Sequence, residues 1–135
     1  MDSVEIMRNT KSFAIIGASA KEESYGFKLV KNLIDAGYVV YPMNPKYPKI
    51  YGINTFQFFS DLPDSPNNIV LAMSLANNLI ALEQIEANCN SYIWFPPECW
   101  NDEIIAKAKD KNLKFLKDVC PIGTYLLLNF SSEIK

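Results

Sequence analysis

The sequence predicts an α/β domain, an open and mostly parallel sheet with helices on both faces. Three observations predict it. Short runs of consecutive apolar residues recur along the chain, as in strands buried on both faces. Between them lie segments whose apolar residues fall at helical spacing. The two kinds of segment alternate, which is the order that right-handed crossover units produce. A chain of 135 residues, 49% hydrophobic and 21% charged, is expected to form one domain, residues 1–135, around one continuous core.

Ser12 to Ile16 reads as the first buried strand, ending at Gly17. A helix follows, with Phe27, Val30, Leu33 and Ile34 on one face and Gly37 at its left-handed terminus. Tyr38 to Tyr41 is the second strand, stopped by Pro42 and followed by the turn-rich Asn44-Pro45-Lys46-Tyr47-Pro48. A weaker strand is predicted near Thr55 to Phe58, then a short helical turn at Ser60-Asp61-Leu62-Pro63. Asn68 to Met73 is the next buried strand, and Ala76 to Ala87 carries Leu79, Ile80, Leu82 and Ile85 at helical spacing. Ser91 to Phe95 is a further strand, ended by Pro96 and Pro97. Asn101 then caps a helix bearing Ile104, Ile105 and Ala108, with lysines toward its C-terminus. Leu113 to Leu116 is the last short strand, and the apolar segment Tyr125 to Leu128 is expected to pack back on the sheet. The whole is a Rossmann-like arrangement.

Composition removes several classes of function. A formal net charge of −2 leaves no basic footprint for nucleic acid or for an anionic membrane surface. Met1 to Lys11 lacks the apolar centre of a secretory signal, and no stretch is long enough to span a bilayer. Cys89, Cys99 and Cys120 cannot all pair within the chain, and none sits in a CxxC spacing, so neither a disulfide scaffold nor a metal site is expected. A reducing cytoplasm suits them. There is no histidine, which removes the commonest general base and triad partner. The acidic residues Asp61, Asp64, Glu98 and Asp102 lie in turn signals, where solvated or capping roles are usual. No catalytic residue is therefore assigned.

In an open parallel sheet, ligands bind outside the carboxyl ends of the strands, where strand order reverses. The first loop there is Gly17-Ala18-Ser19-Ala20, whose small side chains let backbone N–H groups approach a phosphate just before a helix N-terminus. The same residues would also serve a plain tight turn. A dinucleotide fingerprint would add further glycines and an acidic residue at the end of the second strand, for the ribose diol. Here that strand ends Tyr41-Pro42-Met43-Asn44, and Lys46 follows. A cation suits a phosphorylated ribose, either the 3′-phosphate of coenzyme A or the 2′-phosphate of NADP.

Several separated segments in consistent order resemble the stand-alone CoA-binding domain family, relatives of the N-terminal CoA-binding domain of the succinyl-CoA synthetase α subunit. They are Ala14-Ile15-Ile16-Gly17-Ala18-Ser19, Gly37 to Lys46, Tyr51-Gly52, Ser60-Asp61-Leu62-Pro63 and Asp118-Val119-Cys120-Pro121. The resemblance implies that Gly17, Ala18, Ser19 and Ala20 line a pyrophosphate and that Asn44, Pro45 and Lys46 sit by the adenosine and its ribose phosphate. It also implies that Met73, Ser74, Phe95, Pro96 and Pro97 complete the rim. The sequence departs from the family after Pro96, where relatives have glycine and Pro97-Glu98 stands here. A basic residue common in the first loop of relatives is represented only by Lys21. Cys120 matches a cysteine near the end of the family pattern, where a thiol could form a mixed disulfide with coenzyme A or simply fill a buried position.

The expected function is binding of coenzyme A or an acyl-CoA without catalytic machinery. The alternative is an NAD(P)-binding redox-sensing domain or small oxidoreductase on the same fold. A third reading is an interaction subunit whose partner supplies catalysis, or a homo-oligomer, since the phosphohistidine of the synthetases lies in a later domain.

Overall fold

A computed structural model describes residues 2–134. Five parallel strands form the sheet: β1 (Ser12–Ile16), β2 (Val39–Met43), β5 (Asn68–Leu71), β6 (Tyr92–Phe95) and β7 (Lys114–Lys117), in spatial order β2-β1-β5-β6-β7. A separate antiparallel hairpin is made by β3 (Lys49–Ile50) and β4 (Ile53–Asn54). The helices are α1 (Ser3–Asn9), α2 (Tyr25–Asp35), α3 (Leu75–Gln84), α4 (Asp102–Asp110) and α5 (Pro121–Ile134). The order reverses between β1 and β5, so the crevice of this doubly wound sheet opens between the loops that leave those two strands.

All five residues of β1 are buried, as its apolar run predicts for a central strand covered on both faces. One face carries α1, α2 and α5, which pack Ile6, Met7, Leu29, Val30, Leu33, Ile122 and Tyr125 onto Phe13, Ile15 and Trp94. The other carries α3 and α4, which bring Ala81, Leu82, Ile85, Ile104 and Ala108 onto Ala14, Ile69, Leu71 and Phe95. Gly37 has a φ of 97°, and Tyr38 N–H donates to Leu33 O at 3.0 Å, closing α2 as its sequence foretold.

The structure corrects four expectations. Pro42 does not stop the second strand but lies within it, because β2 is an edge strand and the side of Pro42 lacking an N–H faces away from β1. On that outer side the Pro42 carbonyl accepts from Phe56 N–H at 2.9 Å. The strand expected near Thr55 to Phe58 is only a single bridge between Met43 and Phe56, and the pairing residues belong to the preceding hairpin around Tyr51-Gly52. Ile80, placed on the buried face of the third helix, is 59% exposed, while Asn78 is fully buried. Phe95, expected on the site's rim, is fully buried with its ring edge-on to Phe115 at 6.1 Å.

Two helices went unread. The apolar C-terminal segment is α5, packed through Ile122, Tyr125 and Leu128. The seven-residue α1 is capped by Asp2, which accepts from Glu5 N–H at 2.9 Å, and it is held by Tyr38, whose hydroxyl donates to Met7 O at 2.7 Å. Among the described residues, no helix is long and apolar enough to cross a membrane.

Candidate functional site

The loop after β1 is shaped by two glycines. Gly17 has a φ of 98°, and a Cβ there would lie 2.7 Å from Ala72 O and 2.8 Å from Met73 Cγ, so the loops of β1 and β5 touch at the switch point. Gly26, in the first turn of α2, would place a Cβ 2.1 Å from Gly17 O. Its bare backbone therefore lets the helix start directly against the loop, the close helix–strand approach that a nucleotide fingerprint assigns to its last glycine. Ala18 is fully buried beneath the loop, Ser19 is partly exposed and Ala20 exposed.

Ser24 caps α2, accepting from Phe27 N–H at 3.2 Å, and Ser24 N–H donates to Lys21 O at 3.0 Å. Of the four amides that a helix start leaves without helical acceptors, these bonds take those of Ser24 and Phe27; of the other two residues, Tyr25 is exposed and Gly26 buried. The helix dipole adds positive potential there. The Ser19 hydroxyl accepts from Lys21 N–H at 3.1 Å, which leaves its own proton to donate outward.

At the end of β2, Asn44 ties the neighbouring loops together. Its Nδ2 donates to Ala18 O at 2.8 Å and its Oδ1 accepts from Lys46 N–H at 2.9 Å. The Lys46 side chain is exposed, with its ammonium 5.8 Å from the centre of the Tyr47 ring. Gly17, Asn44, Pro45 and Met73 line a crevice of about 190 Å³ whose far wall is Phe58 and Phe59. A larger hollow of about 620 Å³ lies at the other end of β5, between Ser60 to Pro66 and the end of α3. The smaller crevice lies at the carboxyl ends of β1 and β2, with Gly17 of the first loop on its wall. Asp64 and Glu86 border the larger one, and their charge opposes a phosphate.

Asn78 organises the far rim. From α3 its Nδ2 donates to Leu71 O, Met73 O and Cys99 O at 3.2, 3.2 and 2.8 Å, while its Oδ1 accepts from Met73 N–H at 3.1 Å. Ser74 caps α3, accepting from Asn77 N–H at 3.3 Å. Pro96 is buried and Pro97 exposed, and Cys99 N–H donates to Pro96 O at 3.0 Å, closing a turn. Glu98, the third residue of that turn, has a φ of 68°, a conformation that favours glycine. The family's glycine therefore has a backbone reason at this end of the sheet, and Glu98 adopts the strained conformation in its place.

The Tyr25 hydroxyl turns inward and donates to Cys120 Sγ at 2.8 Å, although 36% of the residue is exposed. Burial first, and then this bond, raise its pKa above the ordinary 10.0. Burial, the Glu98 carboxylate and Cys120 raise the Cys99 thiol. Among the described residues no group of three His, Cys, Asp or Glu stands together as a metal site.

Sequence reasoning brought Gly17 to Ala20, Asn44 to Lys46 and Met73 to one end of the sheet but missed Gly26 and Asn78. Gly26 had a readable signal, a glycine two residues after a Ser cap, where no C-terminal role exists. Asn78 had none, since a helical asparagine normally faces water.

Fold and loop together define a doubly wound, Rossmann-like α/β protein with a crevice at the topological switch. Residues 11–125 match the family described as CoA binding domain, and the chain belongs to that family. It is 40% identical over 76 residues to the ADP-forming acetate–CoA ligase of Methanocaldococcus jannaschii, a match covering 56% of this chain and 10% of the ligase. It is 25% identical over 118 residues to the uncharacterized protein YneT of Bacillus subtilis, covering 86% of each. A hypothetical protein from Pyrococcus horikoshii superposes with a TM-score of 0.84 at 29% identity, covering 93% of this chain and 88% of that one. The chain spans about a tenth of the ligase and nearly all of the small relatives.

Proposed function

We propose that this chain binds coenzyme A or an acyl-CoA at the carboxyl end of its sheet and has no catalytic machinery of its own. The observation that carries this is the seating of Gly26 against the Gly17 carbonyl, which brings the α2 N-terminus onto the loop whose Gly17 also walls the switch-point crevice. In this reading the pyrophosphate rests on Gly17 to Ala20 and the first turn of α2, with the Ser19 hydroxyl as an added donor. Adenosine enters the crevice beside Asn44 and Pro45, and the exposed Lys46 ammonium meets the ribose 3′-phosphate. Met73, Ser74, Pro96 and Pro97 line the path of the pantetheine arm, and Phe95 contributes only as the core residue beneath them.

Calorimetry with coenzyme A, 3′-dephospho-coenzyme A and NADPH tests the reading. Coenzyme A is expected to bind more tightly than its dephospho form, and at one hundred times its dissociation constant to stabilise the fold by about 2.7 kcal/mol. Tight NADPH binding with none of coenzyme A would transfer the site to the NADP alternative, which the missing carboxylate after β2 leaves open.

A further inference from the structure

We propose that the hollow of about 620 Å³ at the amino end of β5 is a binding site of its own, for a small organic cation that joins an apolar body to an ammonium group. It is distinct from the switch-point crevice, because Phe59 and Gln84 line both spaces and stand as the wall between them. The proposal does not depend on the coenzyme A reading. The volume of the hollow falls within the roughly 300–1,000 Å³ of small-molecule sites. Its floor comes from the sheet and the end of α3, where Ile69 and Ile85 are buried. Phe59, Leu62 and Cys89 stand half-buried around that floor.

The polar groups at the bottom are already paired. Ser91 Oγ donates to Pro66 O at 2.6 Å, and Cys89 N–H donates to Glu86 O at 3.3 Å, so the floor offers a ligand apolar contact. The charge sits at the mouth. Asp64 and Glu86 are exposed there, and neither carboxylate makes a hydrogen bond or an ion pair among the described residues. No lysine or arginine among the described residues lines the hollow. The C-terminal end of α3 adds partial negative charge. Lys111 offsets part of it, its Nζ donating to Leu82 O and Glu83 O at 2.6 and 3.2 Å, and Lys107 is paired with the Glu83 carboxylate. Asp64 and Glu86 are therefore left to set the preference for a cation.

These features select the chemistry of the ligand. An anion meets two like charges at the mouth, and a purely polar polycation leaves the apolar floor uncovered. An ammonium held at the mouth by Asp64 and Glu86, with a ring or branched chain over Ile69 and Ile85, uses both. Exposed ion pairs contribute little, so the charge decides which ligand enters and the apolar floor supplies most of the affinity. Binding involves no covalent step. Cys89 serves as a reporter, since a seated ligand covers the wall that its thiol belongs to.

The test is the rate at which iodoacetamide alkylates each cysteine of the reduced full chain, read by peptide mass spectrometry, with tryptamine as the probe. At about ten times its dissociation constant, tryptamine is expected to slow Cys89 roughly tenfold by mass action. Cys99 and Cys120, beyond the carboxyl ends of β6 and β7, are internal controls and should keep their rates. Indole-3-propionate, with the same ring and the opposite charge, is expected to give no protection, and spermidine much less than tryptamine. Asp64→Asn combined with Glu86→Gln should raise the tryptamine concentration required about tenfold. Failure of tryptamine to protect Cys89, equal protection by indole-3-propionate or spermidine, or unchanged protection in the double variant overturns the proposal. So does a dimer in native mass spectrometry that the double variant abolishes, because a second copy of the chain would then cover the hollow. Calorimetry of coenzyme A on the same samples separates the two readings. Tryptamine protection without coenzyme A binding leaves this site standing and sinks the coenzyme A reading, and coenzyme A binding without tryptamine protection does the reverse.

Discussion

The two ends of the sheet are built on opposite rules. At the amino end, among the described residues, the buried polar side chains are paired. Asn68 is fully buried, its Nδ2 donating to Thr10 Oγ1 and Ser12 O at 2.8 and 3.1 Å, and its Oδ1 accepting from the indole of the buried Trp94 at 2.9 Å. Asn67 Oδ1 accepts from the amides of Lys11 and Ser12, and Ser91 donates to Pro66 O at 2.6 Å. At the carboxyl end, Gly17, Glu98 and Asp118 hold positive φ, and α2 and α3 aim their N-termini at the rim. Closure stabilises the first end, whereas the second gathers positive-φ turns and helix N-termini.

The sharpest way to break this contrast is at the amino end. Asn68→Ala removes two donor bonds and orphans the Trp94 indole N–H. It is expected to cost about 3 kcal/mol in urea unfolding while coenzyme A affinity stays unchanged. A fall in affinity of the same size would mean that the two ends are coupled.

Gly26→Ala acts at the other end. The new Cβ meets the Gly17 carbonyl 2.1 Å away, so the loop must shift, with about 2 kcal/mol lost from stability and a larger loss from coenzyme A affinity measured by calorimetry. Lys46→Ala is expected to do less, about 1 kcal/mol or roughly fivefold in affinity, since the ammonium is solvent-exposed. That loss should disappear with the 3′-dephospho ligand and shrink as salt is raised.

Alkaline unfolding supplies the finest probe. The Tyr25 phenol is held above its ordinary 10.0 in the fold, so the unfolded chain ionises first. Its contribution is complete below about pH 10 and is lost as pH rises beyond that value. Tyr25→Phe should flatten the alkaline decline of stability followed by circular dichroism. An unchanged slope would show that the hydroxyl is not the group responsible.

Much of the fold was legible because its signals are local. The apolar run of β1, the Asn101 cap, which accepts from Ile104 N–H at 2.9 Å, and the Gly37 terminus each lie within a few residues of what they determine. The loop at Gly17 was legible for the same reason. The short α1 was not, since seven residues with two buried side chains make no periodic pattern. Pro42 misled because whether proline breaks a strand depends on which side of the strand is bonded, and an edge position is not written in the neighbouring residues.

The sequence by itself determined the alternation of strand and helix, the small-residue loop at Gly17 and the absence of a carboxylate after the second strand, because each depends on residue type and spacing alone. Only the tertiary structure decided that Gly26 seats against Gly17, that Asn78 reaches from α3 to the Cys99 carbonyl, and that Tyr25 meets Cys120. Those contacts join residues on different elements, and their distances are set by how the helices settle on a twisted sheet.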